Sequence, residues 1–221
     1  SPNNSADRLT INPVRNAEAM ITGSTFTISS NDVRLEGLSF NPGAFKSQVT
    51  LVNTGVNNFT FKRNYSKITS GQLLVLFGTA TPAGQTPAFG NYLIEDNRFE
   101  SQATALGSSY IGVSNINGIT VNNNSFVVSA SSPLRLVSNS IASGIIVNYI
   151  YSNNISYASR NEWFSSSNDI RTLSIENNIS LHGQRSLIIQ IFSAVSSDIQ
   201  IRNNYIENDF AELPPIQYSR S

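Results

Sequence analysis

The chain contains no cysteine among its 221 residues. Thiolate catalysis, disulfides and cysteine-ligated zinc are therefore excluded. Charge is also scarce. Asp, Glu, Lys and Arg together make up 13% of the chain, about half the usual share, and the formal net charge is zero. No basic excess exists to neutralise phosphates, which argues against a nucleic-acid partner. There is one histidine, His182, and one tryptophan, Trp163. No run approaches the roughly 18 apolar residues of a membrane span. The opening SPNNSADRLTI has no basic segment followed by an apolar one, so no signal peptide is visible. Nor is there a glycine loop suited to cradling phosphate.

What the chain does have is a repeated phrase. Apolar residues (39%) and aromatics (10%) suffice for a core, and they recur in a fixed pattern. Seven segments align: VRLEGLSF from Val33, FTFKRNYS from Phe59, YLIEDNRF from Tyr92, ITVNNNSF from Ile119, YIYSNNIS from Tyr149, LSIENNIS from Leu173 and IQIRNNYI from Ile199. Their starts lie 26, 33, 27, 30, 24 and 26 residues apart. The first and third columns are apolar or aromatic in every copy, which is the period-two mark of a strand with one buried face. The sixth column reads Leu38, Asn64, Asn97, Asn124, Asn154, Asn178, Asn204. Asparagine tolerates the left-handed backbone region, so this column predicts a sharp corner. Its amides are expected to hydrogen-bond in a stacked ladder.

A strand-only repeat of this length, without helical periodicity, predicts an all-β fold. We expect a right-handed parallel β-helix of about seven coils with an asparagine-ladder corner. Further strands are expected from Val49, Leu73, Tyr110, Gly144 and Ser186, where near-continuous apolar runs occur. Three stretches rich in turn residues read as projecting loops: 78–91, 129–144 and 156–169. The eighth column alternates between Phe40, Phe99, Phe126, Ile206 and Ser66, Ser156, Ser180. In the serine copies an apolar residue stands one place earlier, which predicts two corner variants differing by one residue. The whole of 1–221 reads as one domain, with repeats over roughly 22–210. Residues 1–21 form an N-terminal cover or linker, and 211–221 a tail in which Pro214 and Pro215 end the stack. Flanking domains of a longer protein could adjoin it.

The phrases GSTFTISSNDVRLEGLSF, ITVNNNSF and IQIRNNYI resemble the repeats of the pectin lyase-like right-handed parallel β-helix superfamily. That superfamily holds pectate lyases, polysaccharide hydrolases, phage tailspikes, epimerases and non-catalytic adhesins, so the resemblance implies a fold and leaves the activity open. Lyases of this fold use a Lys or Arg base assisted by Ca²⁺ on clustered carboxylates. Calcium asks for six to eight oxygens, and the acidic residues here are scattered. The nearest set is Lys62 with Glu95, Asp96 and Glu100, a weak catalytic or Ca²⁺ candidate; otherwise no cofactor is expected. The column Glu36, Lys62, Glu95, Asn122, Ser152, Glu176, Arg202 reads as a solvated rim of cross-strand charge pairs. Glycoside hydrolysis needs two carboxyls within roughly 5–10 Å, and no pair stands out. The glycosylation sequons at Asn58, Asn64, Asn154 and Asn178 read as by-products of the repeat.

These features favour a non-catalytic module, extracellular or on a cell surface and of bacterial or phage origin. It is expected to bind a polysaccharide or cell-surface glycan, in the manner of an adhesin. Its sugar-stacking aromatics are expected from loops: Phe89, Tyr157, Trp163 and Phe164. A polysaccharide lyase or glycoside hydrolase, pectate-lyase-like or a tailspike-type depolymerase, is the alternative.

Overall fold

The third-column residues Leu35, Phe61, Ile94, Val121 and Tyr151 are wholly buried. In the computed structural model the described residues are 9–11, 20–21, 26–40, 49–51, 55–68, 72–77, 86–101, 109–128, 135–139, 145–157, 164–166, 169–183, 189–192, 198–208 and 216–219. Every regular element among them is a strand. The strands form three parallel sheets, in each of which eight strands from successive coils follow one another; one further two-residue strand pairs at the side of the first sheet. The chain is thus a parallel β-solenoid, and its described coils number eight where about seven were expected.

The extra coil comes from the segment read as a cover. Leu9–Ile11 pairs with Val33–Leu35, and Met20–Ile21 pairs with Ser39–Phe40. At the other end Ile216–Ser219 pairs with Ile189–Phe192. Pro214 and Pro215 therefore precede a further strand of the third sheet and do not end the stack. Two of the stretches read as loops also contain third-sheet strands, Arg135–Asn139 and Phe164–Ser166. Their serines and asparagines mask a strand that is only a few residues long. Conversely, the run from Gly144 is no separate strand: Ile145–Ser152 is the first-sheet strand itself.

The phrase columns are the structural columns. Tyr92 pairs with Ile119, Ile119 with Tyr149, Tyr149 with Leu173, and Leu173 with Ile199. Four residues of each phrase lie in the first sheet; two make the corner, and the seventh starts the second sheet. Left-handed backbone falls at the fifth column: Gly37, Arg63, Asp96, Asn123, Asn153, Asn177 and Asn203 all have positive φ. This corrects the sequence reading, which placed that conformation at the sixth column. The sixth-column asparagines instead serve as hydrogen-bonding posts.

Each ladder amide holds the coil before it. Asn124 Oδ1 accepts from the backbone N–H of Asn97 at 3.0 Å, and its Nδ2 donates to the carbonyl of Ile94 at 2.9 Å. The same two bonds recur at Asn64, Asn97, Asn154, Asn178 and Asn204, on Leu38 and Leu35 through to Asn178 and Ile175. From Asn97 to Asn178, Nδ2 also donates to Oδ1 of the next asparagine. Buried backbone groups with no strand partner at the bend are satisfied in this way. Because Nδ2 of Asn64, Asn154 and Asn178 is engaged, these sequons are structural positions. Asn58 likewise donates its Nδ2 to Asp32.

The eighth column shows a second correction. Phe40 pairs with Ser66, Ser66 with Phe99, and Phe126 with Ser156, all in one register. There is one corner geometry, not two. Ser66, Ser156 and Ser180 are buried inside the second sheet. Packing accounts for two of them, since in the first sheet Phe61 and Tyr151 stand in the coils of Ser66 and Ser156; the coil of Ser180 carries Ile175 there. Where the first sheet carries the smaller Leu35, Ile94 and Val121, the second carries Phe40, Phe99 and Phe126. The rings form a continuous line that weaves between the sheets. Phe40–Phe61, Phe61–Phe99, Phe99–Phe126 and Phe126–Tyr151 have centroids 5.4, 6.3, 5.0 and 6.4 Å apart, within the range of favourable aromatic pairs.

Candidate functional site

Lys62 and Glu95 are partners at the outer end of neighbouring first-sheet strands. Lys62 Nζ donates to Glu95 Oε2 and lies 3.2 Å from Asp96 Oδ2. Asn122 Nδ2 donates to Glu95 Oε1 at 3.2 Å, and Asn123 Nδ2 to Asp96 Oδ1 at 2.7 Å. The hydrogen bond to Glu95 raises the Lys62 ammonium above its ordinary 10.5, with Asp96 adding to it. A catalytic lysine base needs the opposite shift. The Asn123 bond, followed by Lys62, holds the Asp96 carboxyl below 3.8, so it is ionised near neutrality. Glu100 sits around the corner on the second sheet, away from these three. There Tyr65 Oη donates to it at 2.7 Å and, with Arg98, holds it below 4.5. The sequence-predicted quartet therefore divides into an ion-paired trio of one ammonium and two carboxylates and a separate carboxylate. Among the described residues no three His, Asp or Glu side chains gather as a metal site.

The rest of that rim is also paired. Glu36 is held by Arg34 and Arg63, and Arg202 donates to Glu176 at 2.8 Å. Such solvent-screened pairs contribute little to stability. They form a solvated edge with charges locally balanced.

The less ordinary surface is the outer face of the second sheet. Since Ser66, Ser156 and Ser180 point inward, their neighbours on either side point outward. In the coils from Tyr65 to Glu100 this face carries Tyr65, Lys67, Arg98 and Glu100, a charged network. Beyond Ser125 it changes character. Ile155, Tyr157, Ile179 and Tyr205 are 39%, 48%, 41% and 58% exposed. Ile155 pairs with Ile179, and Ile179 with Tyr205, so these three form one straight row across adjacent coils. Val127, Tyr157 and Leu181 form the parallel row two residues further along each strand. The result is a largely apolar strip across adjacent coils, with Glu207 at its edge beside Tyr205. Exposed apolar surface that is contiguous, unlike scattered single residues, marks interaction sites.

Sequence reasoning missed this strip because it took Ile155 and Ile179 for core residues in a slipped corner. The fixed spacing from the ladder asparagine to each of them was the signal that places them outside.

Of the four aromatics expected from loops, the two whose side chains are described, Phe89 and Tyr157, lie on different sheets' margins. Tyr157 belongs to the strip. Phe89 is half-buried where the third sheet turns into the first, and its ring lies over Gly55: a Cβ added there would be 3.5 Å from it. Phe164 opens a third-sheet strand, and Trp163 lies outside the described residues. His182 lies in the second-sheet strand Ile179–Gly183.

Comparisons with protein-family models, with curated proteins and with solved structures find no match to this chain.

Proposed function

We propose that the chain is a non-catalytic, extracellular module of the pectin lyase-like right-handed β-helix type that binds a neutral polysaccharide or cell-surface glycan. The strip formed by Ile155, Tyr157, Ile179 and Tyr205 carries this reading. Sugar rings present flat C–H faces that pack on tyrosine rings, while their hydroxyls remain in water. Successive coils repeat roughly every 4.8 Å, so the strip offers a regular series of contacts to an extended chain. Its largely apolar character favours an uncharged ligand. Three parallel sheets and an asparagine corner support the superfamily reading, and a surface rich in Ser, Thr and Asn supports the extracellular setting and a bacterial or phage source.

A glycan array run with reducing-end and unsaturated-product assays on the same polysaccharides tests the proposal. Binding without turnover is expected, weakened about five- to tenfold by Tyr205→Ala or Tyr157→Ala. Turnover would replace the reading with a lyase or hydrolase. Absence of binding, or binding indifferent to both tyrosines, would overturn it.

A further inference from the structure

The apolar strip on the second sheet has a direction: its contacts run across the coils and not along the strands. One row follows the ladder asparagines. Arg98 pairs with Ser125, Ser125 with Ile155, and Ile155 with Ile179. The other row lies two residues on, where Glu100 pairs with Val127, Val127 with Tyr157, and Tyr157 with Leu181. Each coil thus adds the same two outward positions, about 7 Å apart along the strand, and coils follow one another every roughly 4.8 Å. The surface is as wide as one sugar ring and spans four inner coils.

The two ends of this surface differ. Over Val127, Ile155, Tyr157, Ile179 and Leu181 it is apolar. At the coil before them, Glu100 is fixed from two sides. Tyr65 Oη donates to its Oε2 at 2.7 Å, and Arg98 Nε donates to its Oε1 at 2.8 Å. The Arg98 side chain is 61% exposed, so N–H groups of its fork stay open to solvent. A polymer whose ring faces lie on Tyr157 and the isoleucines therefore meets preset donors and acceptors for its hydroxyls as it continues toward Arg98.

We propose that the ligand is an extended neutral polysaccharide with equatorial linkages, of the β-1,4 class, bound along the solenoid axis at about one ring per coil. The proposal rests on the glycan reading of the strip and adds the shape of the chain. Equatorial bonds on both sides of each pyranose ring keep such a polymer straight, and its advance per ring is close to the coil spacing. Consecutive rings then meet successive coils in register. A ligand already extended in solution also has little conformational freedom to lose on binding. A chain with one axial bond per ring, such as an α-1,4-glucan, coils and can follow a straight row through only part of its length.

The experiment is a titration of the isotope-labelled chain with hexasaccharides, followed by amide NMR. One set is β-1,4-linked, made of glucose, xylose, mannose or N-acetylglucosamine; the comparison is α-1,4-linked glucose. At least one β-1,4 hexamer should bind saturably, at least about tenfold more tightly than its own trimer and than the α-1,4 hexamer. Its shifts should cross the coils from Glu100 through Val127 and Tyr157 to Leu181. Equal or tighter binding of the α-1,4 hexamer, affinity that does not rise with length, or shifts confined to one coil would overturn the axial chain while leaving the strip a glycan face. So would silence from every β-1,4 hexamer when the glycan array finds another ligand. An array without any ligand would remove both readings.

Discussion

Two adjacent residues divide the work at each corner. The fifth-column residue bends the backbone through positive φ, and the sixth-column asparagine fills the hydrogen bonds that the bend leaves open. Asparagine suits both tasks for unrelated reasons, which is why three can stand in a row at 122–124. Packing is equally local. Ser66 is wholly buried, and its Oγ has no hydrogen-bond partner among the described residues. Ser66→Ala should therefore be neutral or stabilise by about 1 kcal/mol in urea unfolding, because no buried bond is lost. Ser66→Phe should destabilise by about 1–3 kcal/mol through overpacking against Phe61. A stabilising phenylalanine would show that the large-small alternation between sheets is not what sets this column.

At the level of the strand, the corner fixes the register and the register fixes which side chains reach solvent. The period-two columns of the first sheet were legible in the sequence, since both ends of each strand carry invariant spacing from Val33 through Ile199. The outward placement of Ile155 and Ile179 was not, because hydrophobicity alone argued for burial there. The third-sheet strands at Arg135 and Phe164 were hidden by composition. A second corner was also overlooked. Asp32, Asn58, Asn91, Gly118, Asn148 and Asp198, each one residue before the first apolar column, have positive φ as well. An Asn, Asp or Gly in six copies of seven was the available signal. Coils press closely at that corner: a Cβ on Gly90 would lie 1.7 Å from the carbonyl oxygen of Asn117 in the next coil. Gly90→Ala must displace backbone, so a loss of about 3 kcal/mol or more is expected in thermal or urea unfolding. A loss below about 1 kcal/mol would mean that the two coils are not held in this register.

For the molecule as a whole, the charged rim makes stability depend on pH at both extremes. Asp96 and Glu100 have folded pKa values below their ordinary 3.8 and 4.5, mainly through hydrogen bonds from Asn123 and Tyr65. Their contribution is complete above those ordinary values and is lost as pH falls through the lower folded ones. Lys62 is raised above 10.5 by Glu95. Its contribution is complete below that value and is lost as pH rises past the folded one. A urea midpoint that is flat between about pH 6 and 9 and falls on either side is expected. A midpoint that rises on acidification below pH 4 would contradict these pairings. The central claim concerns the stack itself: amides recurring once per coil hold each layer to the one before. Comparing Asn124→Ala with Asn123→Gly by equilibrium urea unfolding tests it most directly. Removing the ladder amide strands the Asn97 N–H and the Ile94 carbonyl in the interior and should cost about 3–5 kcal/mol. Glycine accepts the left-handed bend at the neighbouring position, so that change should stay within about 1 kcal/mol of neutral. Equal losses, or a larger loss at Asn123, would contradict the ladder as the element that joins the coils.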